Sequence, residues 1–149
     1  MSRVEKYFEP TVARDFLGLM LGKQIGDGVY REVYESKLDK TKVIKFETGE
    51  QSFSNVIEYE TWIRVENTKY AKWFAPVIEI SSCGSVLVME KTSPMSDREY
   101  PEKIPAYFTD TKYENFGWLN GHIVCHDYGS HLLMEKGMTS RMKKADWWR

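Results

Sequence analysis

The sequence predicts an α+β fold: a twisted antiparallel sheet with one helix packed on it. Three observations carry that expectation. Short runs rich in β-branched and aromatic residues recur between turn residues from Leu21 to Lys91. One helix-like stretch, NVIEYETWIRVENTKY, is set among them, and Pro94, Pro101 and Pro105 rule out a long helix after them. With 149 residues, 42% of them apolar and 14% aromatic, the chain can bury a core without disulfides. One domain, 1–149, is expected, divided into a sheet-and-helix part (21–92), a less regular part (93–129) and a basic tail ending in tryptophans (130–149).

Taken in order, Thr11 is placed to cap a first helix with Val12, Phe16, Leu19 and Met20 at roughly helical spacing. LGKQIGDGVYREVYESKL reads as two strands around a glycine-containing turn, and KVIKFE as a third. In the helix, Val56, Tyr59, Ile63 and Tyr70 fall close to one face. WFAPVIEI and GSVLVMEK form a strand pair joined through SSCG. A single helical turn could start at Pro101, and HIVCHDYG contains a short strand.

Several function classes are disfavoured early. A net charge of −1 argues against a general nucleic-acid binder. No apolar run has the length of a membrane span, and the N-terminus has no signal-peptide core, so a cytoplasmic protein is expected. Cys83 and Cys125 read as free thiols, and His122, His126 and His131 make no zinc signature with them.

The polar groups that remain form an ordered series. GDGVYREV has the first two glycines of a G-x-G-x-x-G-x-V loop, with Arg31 in the third glycine position. Glycines there let backbone N–H groups approach phosphate oxygens; the plainer reading is an ordinary hairpin turn. Lys45 ends an apolar strand and Glu58 follows on the helix. Such a carboxylate can pair with the lysine and extend it toward an anion, or both can simply be solvated. FTDTKYENFG then supplies D-x-K-x-x-N, and DYG follows with Asp127 seventeen residues after Asp110.

In that order the motifs resemble the protein kinase-like superfamily, over about Leu21 to Gly129. The resemblance implies a kinase-like small lobe with a vestigial second lobe carrying the catalytic and metal loops. It implies ATP and Mg²⁺ as cofactors. Gly26 and Gly28 would cover the triphosphate, and Lys45 would bind its α- and β-phosphates, braced by Glu58. Val33 and Ile44 would pack on the adenine, Met89 would stand behind it, and the backbone of Glu90 to Thr92 would hydrogen-bond it. Asn115 and Asp127 would be the metal ligands. Asp110 would orient an attacking hydroxyl, and Lys112 would neutralise the transferred phosphoryl group.

The departures are as informative. Phe108 and Thr109 stand where the family has His and Arg before the catalytic Asp, and only residues 130–149 follow DYG. The expectation is a kinase reduced to its small lobe plus catalytic and metal loops. FGWLNGHIVCHDYG is similar to compact kinase-like chains of tailed bacteriophages, which would place the protein in a host cytoplasm. Two readings follow: a minimal ATP-dependent phosphotransferase acting on a protein or small-molecule hydroxyl, or a weak or inactive kinase-fold module that regulates a partner. In the second, Trp147 and Trp148 anchor the partner or a homodimer. Alternatively, they dock back on their own domain.

Overall fold

The computed structural model describes residues 10–47, 52–129 and 137–149. Its first region is a five-stranded sheet in the order β1-β2-β3-β5-β4, antiparallel throughout. The strands are β1 (Leu21–Asp27), β2 (Arg31–Ser36), β3 (Lys42–Glu47), β4 (Val77–Ile80) and β5 (Val86–Glu90). Helix α1 (Pro10–Met20) precedes them and helix α2 (Ser54–Val65) lies between β3 and β4 in the chain. This is the α+β layout expected from the sequence, an antiparallel sheet with one helix inserted between its strands.

Two helix details differ from the sequence expectation. Helix α1 begins at Pro10, where a proline's missing N–H costs nothing, so Thr11 lies inside it. Helix α2 buries Asn55, Glu58, Thr61 and Val65, whereas Ile63 is 48% exposed. The apolar pattern points to another face because this one buries polar side chains, among them Asn55 and Glu58, whose hydrogen-bonding needs are met by residues distant in sequence.

The second region has little regular structure. A hairpin joins β7 (Phe116–Leu119) to β8 (His122–Cys125), and β6 (Lys103–Pro105) pairs with β9 (Met142–Lys144). Asn120 and Gly121 turn the hairpin with φ of 50° and 78°, conformations that suit this residue pair. The dipeptide was a legible hairpin signal; reading only a strand in HIVCHDYG missed β7. The single turn that forms in the proline-rich stretch is a 3₁₀ turn at Asp97–Glu99, closed by a Ser96–Glu99 capping box, and Pro101 precedes β6 instead.

A largely apolar core joins the regions. Phe74, Leu87, Met89, Phe108 and Tyr128 are almost fully buried there, and Phe74 packs on the Phe108 and Tyr128 rings at 5.3 and 5.1 Å. The hairpin is laced to the segment after β5 by paired Ser93–Trp118 backbone hydrogen bonds of 2.9 and 2.8 Å. A Cβ on Gly117 would lie 2.4 Å from Thr92 Oγ1, so this close approach requires glycine. Among the described residues, no helix is long and apolar enough to cross a membrane.

Candidate functional site

Strand alternation decides which side chains reach the site. Arg31, Val33 and Glu35 on β2 share a face with Val43 and Lys45 on β3, because directly paired residues project to the same side. That face forms one wall of a cleft of about 880 Å³, whose opposite wall includes Lys112, Asn115 and Asp127. Gly26 and Gly28 lie at the cleft, as do Glu90 and Thr92.

Ile44 corrects the expectation of an adenine-packing residue. It projects from the other sheet face and is absent from the cleft lining; Val43 lines the cleft in its place, two residues before Lys45. Met89 is fully buried in the core and is likewise not among the lining residues.

At the floor of the cleft is a buried ionic node. Glu58 Oε1 accepts from Lys45 Nζ at 2.9 Å and Arg31 Nη1 at 2.7 Å. Its Oε2 accepts from Arg31 Nη2 at 3.1 Å and the backbone N–H groups of Tyr128 and Gly129 at 2.8 and 3.0 Å. Helix α2 therefore holds both cations and the DYG segment through one carboxylate. Burial pushes the Glu58 pKa up, but Lys45 and Arg31 together pull it down to about 2. Gly129 fits because a Cβ there would lie 2.9 Å from the Ser54 backbone oxygen and Cβ.

Arg31 was not assigned a role from sequence, and with four hydrogen bonds it is second only to Glu58 in this node. Its Nη1 also donates to Asn55 Oδ1 at 3.2 Å, and its Nη2 to Asp127 Oδ1 at 2.6 Å. Burial works against its charge, yet Glu58 and then Asp127 hold its pKa above the ordinary arginine range. The signal that could have found it was the motif's own departure, a long cation where the pattern has glycine.

Lys45 also donates to the His126 carbonyl. An ammonium has three donors, so one N–H of Lys45 remains for the cleft among the described residues. His126 Nε2 meets the Glu114 carbonyl at 2.6 Å, which can only accept, so this nitrogen carries the proton. Nδ1 then accepts from Thr92 Oγ1 at 2.7 Å. Burial, reinforced by Lys45, lowers the His126 pKa and favours this neutral form.

D-x-K-x-x-N is brought beside DYG only in part. The Asn115 carbonyl accepts from the N–H groups of His126 and Asp127 at 2.8 and 3.3 Å, which sets the two loops together. Lys112 lines the cleft, paired with Glu114 at 2.8 Å and with its ammonium 5.5 Å from the Trp148 ring centroid. Asp110 is half-buried and outside the cleft lining, and its carbonyl is 3.4 Å from Asn115 Nδ2.

Divalent metal fits this donor set poorly. Asn115 and Asp127 offer one amide and one carboxylate, and a guanidinium already holds Asp127 Oδ1. Among the described residues, no three His, Cys, Asp or Glu side chains cluster as a metal site. His131, read above as part of no zinc signature, lies outside the described residues.

Residues 142–149 fold back on the domain. Trp147 is half-buried against Tyr100, Tyr113 and Phe116, and its Nε1 donates to the Pro101 carbonyl at 2.8 Å. The Trp148 ring is 50% exposed, while its backbone carbonyl accepts from the Tyr113 N–H at 2.9 Å. Arg149 reaches the cleft mouth and pairs with Asp97 at 2.5 Å.

No family model matches the chain, and no curated protein matches it. Among solved structures, the chain is similar to one of the streptomycin-ATP-APH(2")-IIa ternary complex, at 13% identity and a TM-score of 0.44. The likeness covers 59% of this chain and 30% of that one, so the chain spans less than a third of that relative's length.

Proposed function

We propose that this chain is a kinase-fold nucleotide-binding protein whose cleft takes the triphosphate of ATP. The observation that carries the reading is Lys45, which lines the cleft, is anchored to Glu58 at 2.9 Å, and has one N–H to spare among the described residues. A fixed ammonium at the base of a cleft is a ready partner for a polyphosphate. Val33 and Val43 supply an apolar wall for a base, and the Glu90–Thr92 segment supplies backbone groups at its edge.

The finer reading is a minimal phosphotransferase acting on a protein or small-molecule hydroxyl, with Lys112 facing the terminal phosphoryl group and Asp110 orienting the acceptor. The position of Asp110 outside the cleft lining favours the second reading, a kinase-fold module that binds nucleotide and regulates a partner. On that reading the exposed Trp148 is the available anchor, since Trp147 is already docked internally.

Calorimetric titration with ATP tests the common premise. Lys45→Ala leaves Glu58 paired with Arg31, so the fold should survive while ATP affinity falls at least about tenfold, or 1.4 kcal/mol. Absence of ATP binding at millimolar concentration, or unchanged affinity in Lys45→Ala, would sink the proposal. Transfer is then assayed with labelled ATP: Asp110→Ala should keep binding and lose turnover if the chain is a phosphotransferase.

A further inference from the structure

We propose that Arg31 is a built-in cation for Asp127, which lets this cleft exclude the divalent metal that a D-x-K-x-x-N and DYG pair would otherwise recruit. Three observations carry it. First, Arg31 Nη2 and Asp127 Oδ1 are 2.6 Å apart, a charge-assisted hydrogen bond at the carboxylate a metal would need. Second, the guanidinium is immobilised. It is 9% exposed, and all four of its terminal N–H donors are engaged: two with Glu58, one with Asn55 and one with Asp127. It therefore cannot turn aside at little cost to admit an ion.

Third, the local charges already balance: Lys45 and Arg31 stand against Glu58 and Asp127. A divalent ion at Asp127 would compete with Arg31 for the carboxylate's charge and place two further positive charges beside a buried guanidinium. The backbone puts Arg31 there by register. It opens β2 on the cleft face, opposite Glu47 on β3, and its side chain crosses the floor to a residue far along the chain. A glycine at this position would leave Asp127 without its counter-ion.

Metal exclusion does not depend on whether ATP binds; only its consequence for nucleotide rests on the reading above. That consequence is ATP binding of the same strength with and without magnesium.

The probe is Mn²⁺, titrated into the full chain, Arg31→Ala and Asp127→Asn, with free metal followed by its electron paramagnetic resonance signal. The unaltered chain should take up no Mn²⁺ that Asp127→Asn abolishes, and Arg31→Ala should bind at least tenfold more tightly than the unaltered chain. Uptake by the unaltered chain that disappears in Asp127→Asn overturns the proposal, as does a folded Arg31→Ala with no gain. If circular dichroism shows Arg31→Ala unfolded, Arg31→Gln replaces it, removing the charge while keeping an amide for Glu58. ATP titration in EDTA and in Mg²⁺ should then give affinities within about threefold. A chain that binds ATP only with Mg²⁺ also overturns it. A chain that binds ATP in neither condition defeats the nucleotide reading alone, and the Mn²⁺ result still decides metal exclusion.

Discussion

The two regions of this molecule are held by different physics. In the sheet-and-helix region, backbone ladders set the frame, and one buried carboxylate, Glu58, accepts five hydrogen bonds from four residues. In the region from 93 onward, regular structure is sparse, and aromatic packing does most of the joining around Phe108, Tyr113, Phe116 and Trp147. An ionic node is directional and loses most when the acceptor its partners share is removed. An aromatic cluster is spread over many weak contacts and loses stability in steps. The consequence for function is that the cleft floor is rigidly specified, while the wall carrying Lys112 and Asn115 depends on packing.

The largest test of this contrast is Glu58→Ala. It leaves two buried cations and two backbone N–H groups without their acceptor, and should cost about 3–5 kcal/mol in urea unfolding. A loss below about 1 kcal/mol would mean that the node is wetter and looser than its geometry implies.

Next in size is acid. The Glu58 pKa is about 2 in the fold against an ordinary 4.5, so the folded state binds this proton less readily than the unfolded chain. Its contribution is fully present above about pH 4.5 and is lost as pH falls toward about 2, on the order of 3 kcal/mol in all. Unfolding midpoints across that window should fall steeply in the unaltered chain and less steeply in Glu58→Gln. Equal slopes would remove Glu58 as the cause.

In the second region, Trp147→Ala should cost about 2 kcal/mol, below the full loss for a buried tryptophan because the side chain is only half-buried. Hydrogen exchange should rise in β6 and β9 while β2, β3 and β5 remain protected. Loss of protection in the sheet as well would erase the contrast between the regions. The smallest effect should come from Arg149→Ala. Its pair with Asp97 is about 70% exposed on both sides and worth under about 1 kcal/mol, mostly removable by salt.

Much of the frame was legible because it is written locally. Alternation, turns and a helical stretch placed five strands and α2 in the right order, and Lys45 with Glu58 was found from the strand and helix that carry them. The same local reading chose the wrong face of α2, because Asn55, Glu58 and Thr61 look like surface residues until their surroundings are known. It placed Ile44 at the cleft, although alternation counted back from Lys45 puts Val43 on the cleft face.

What the sequence by itself determined was the identity and order of the charged groups and the secondary structure that presents them. The tertiary structure alone decided which charges meet. Arg31 and Asp127 are 96 residues apart, and nothing periodic in the chain links them. Their pairing exists because register sends Arg31 to the cleft face while the Asn115 carbonyl and Glu58 fix the DYG loop beneath it. The internal docking of Trp147 was settled in the same way, by a pocket of aromatic rings that forms only once distant segments are packed together.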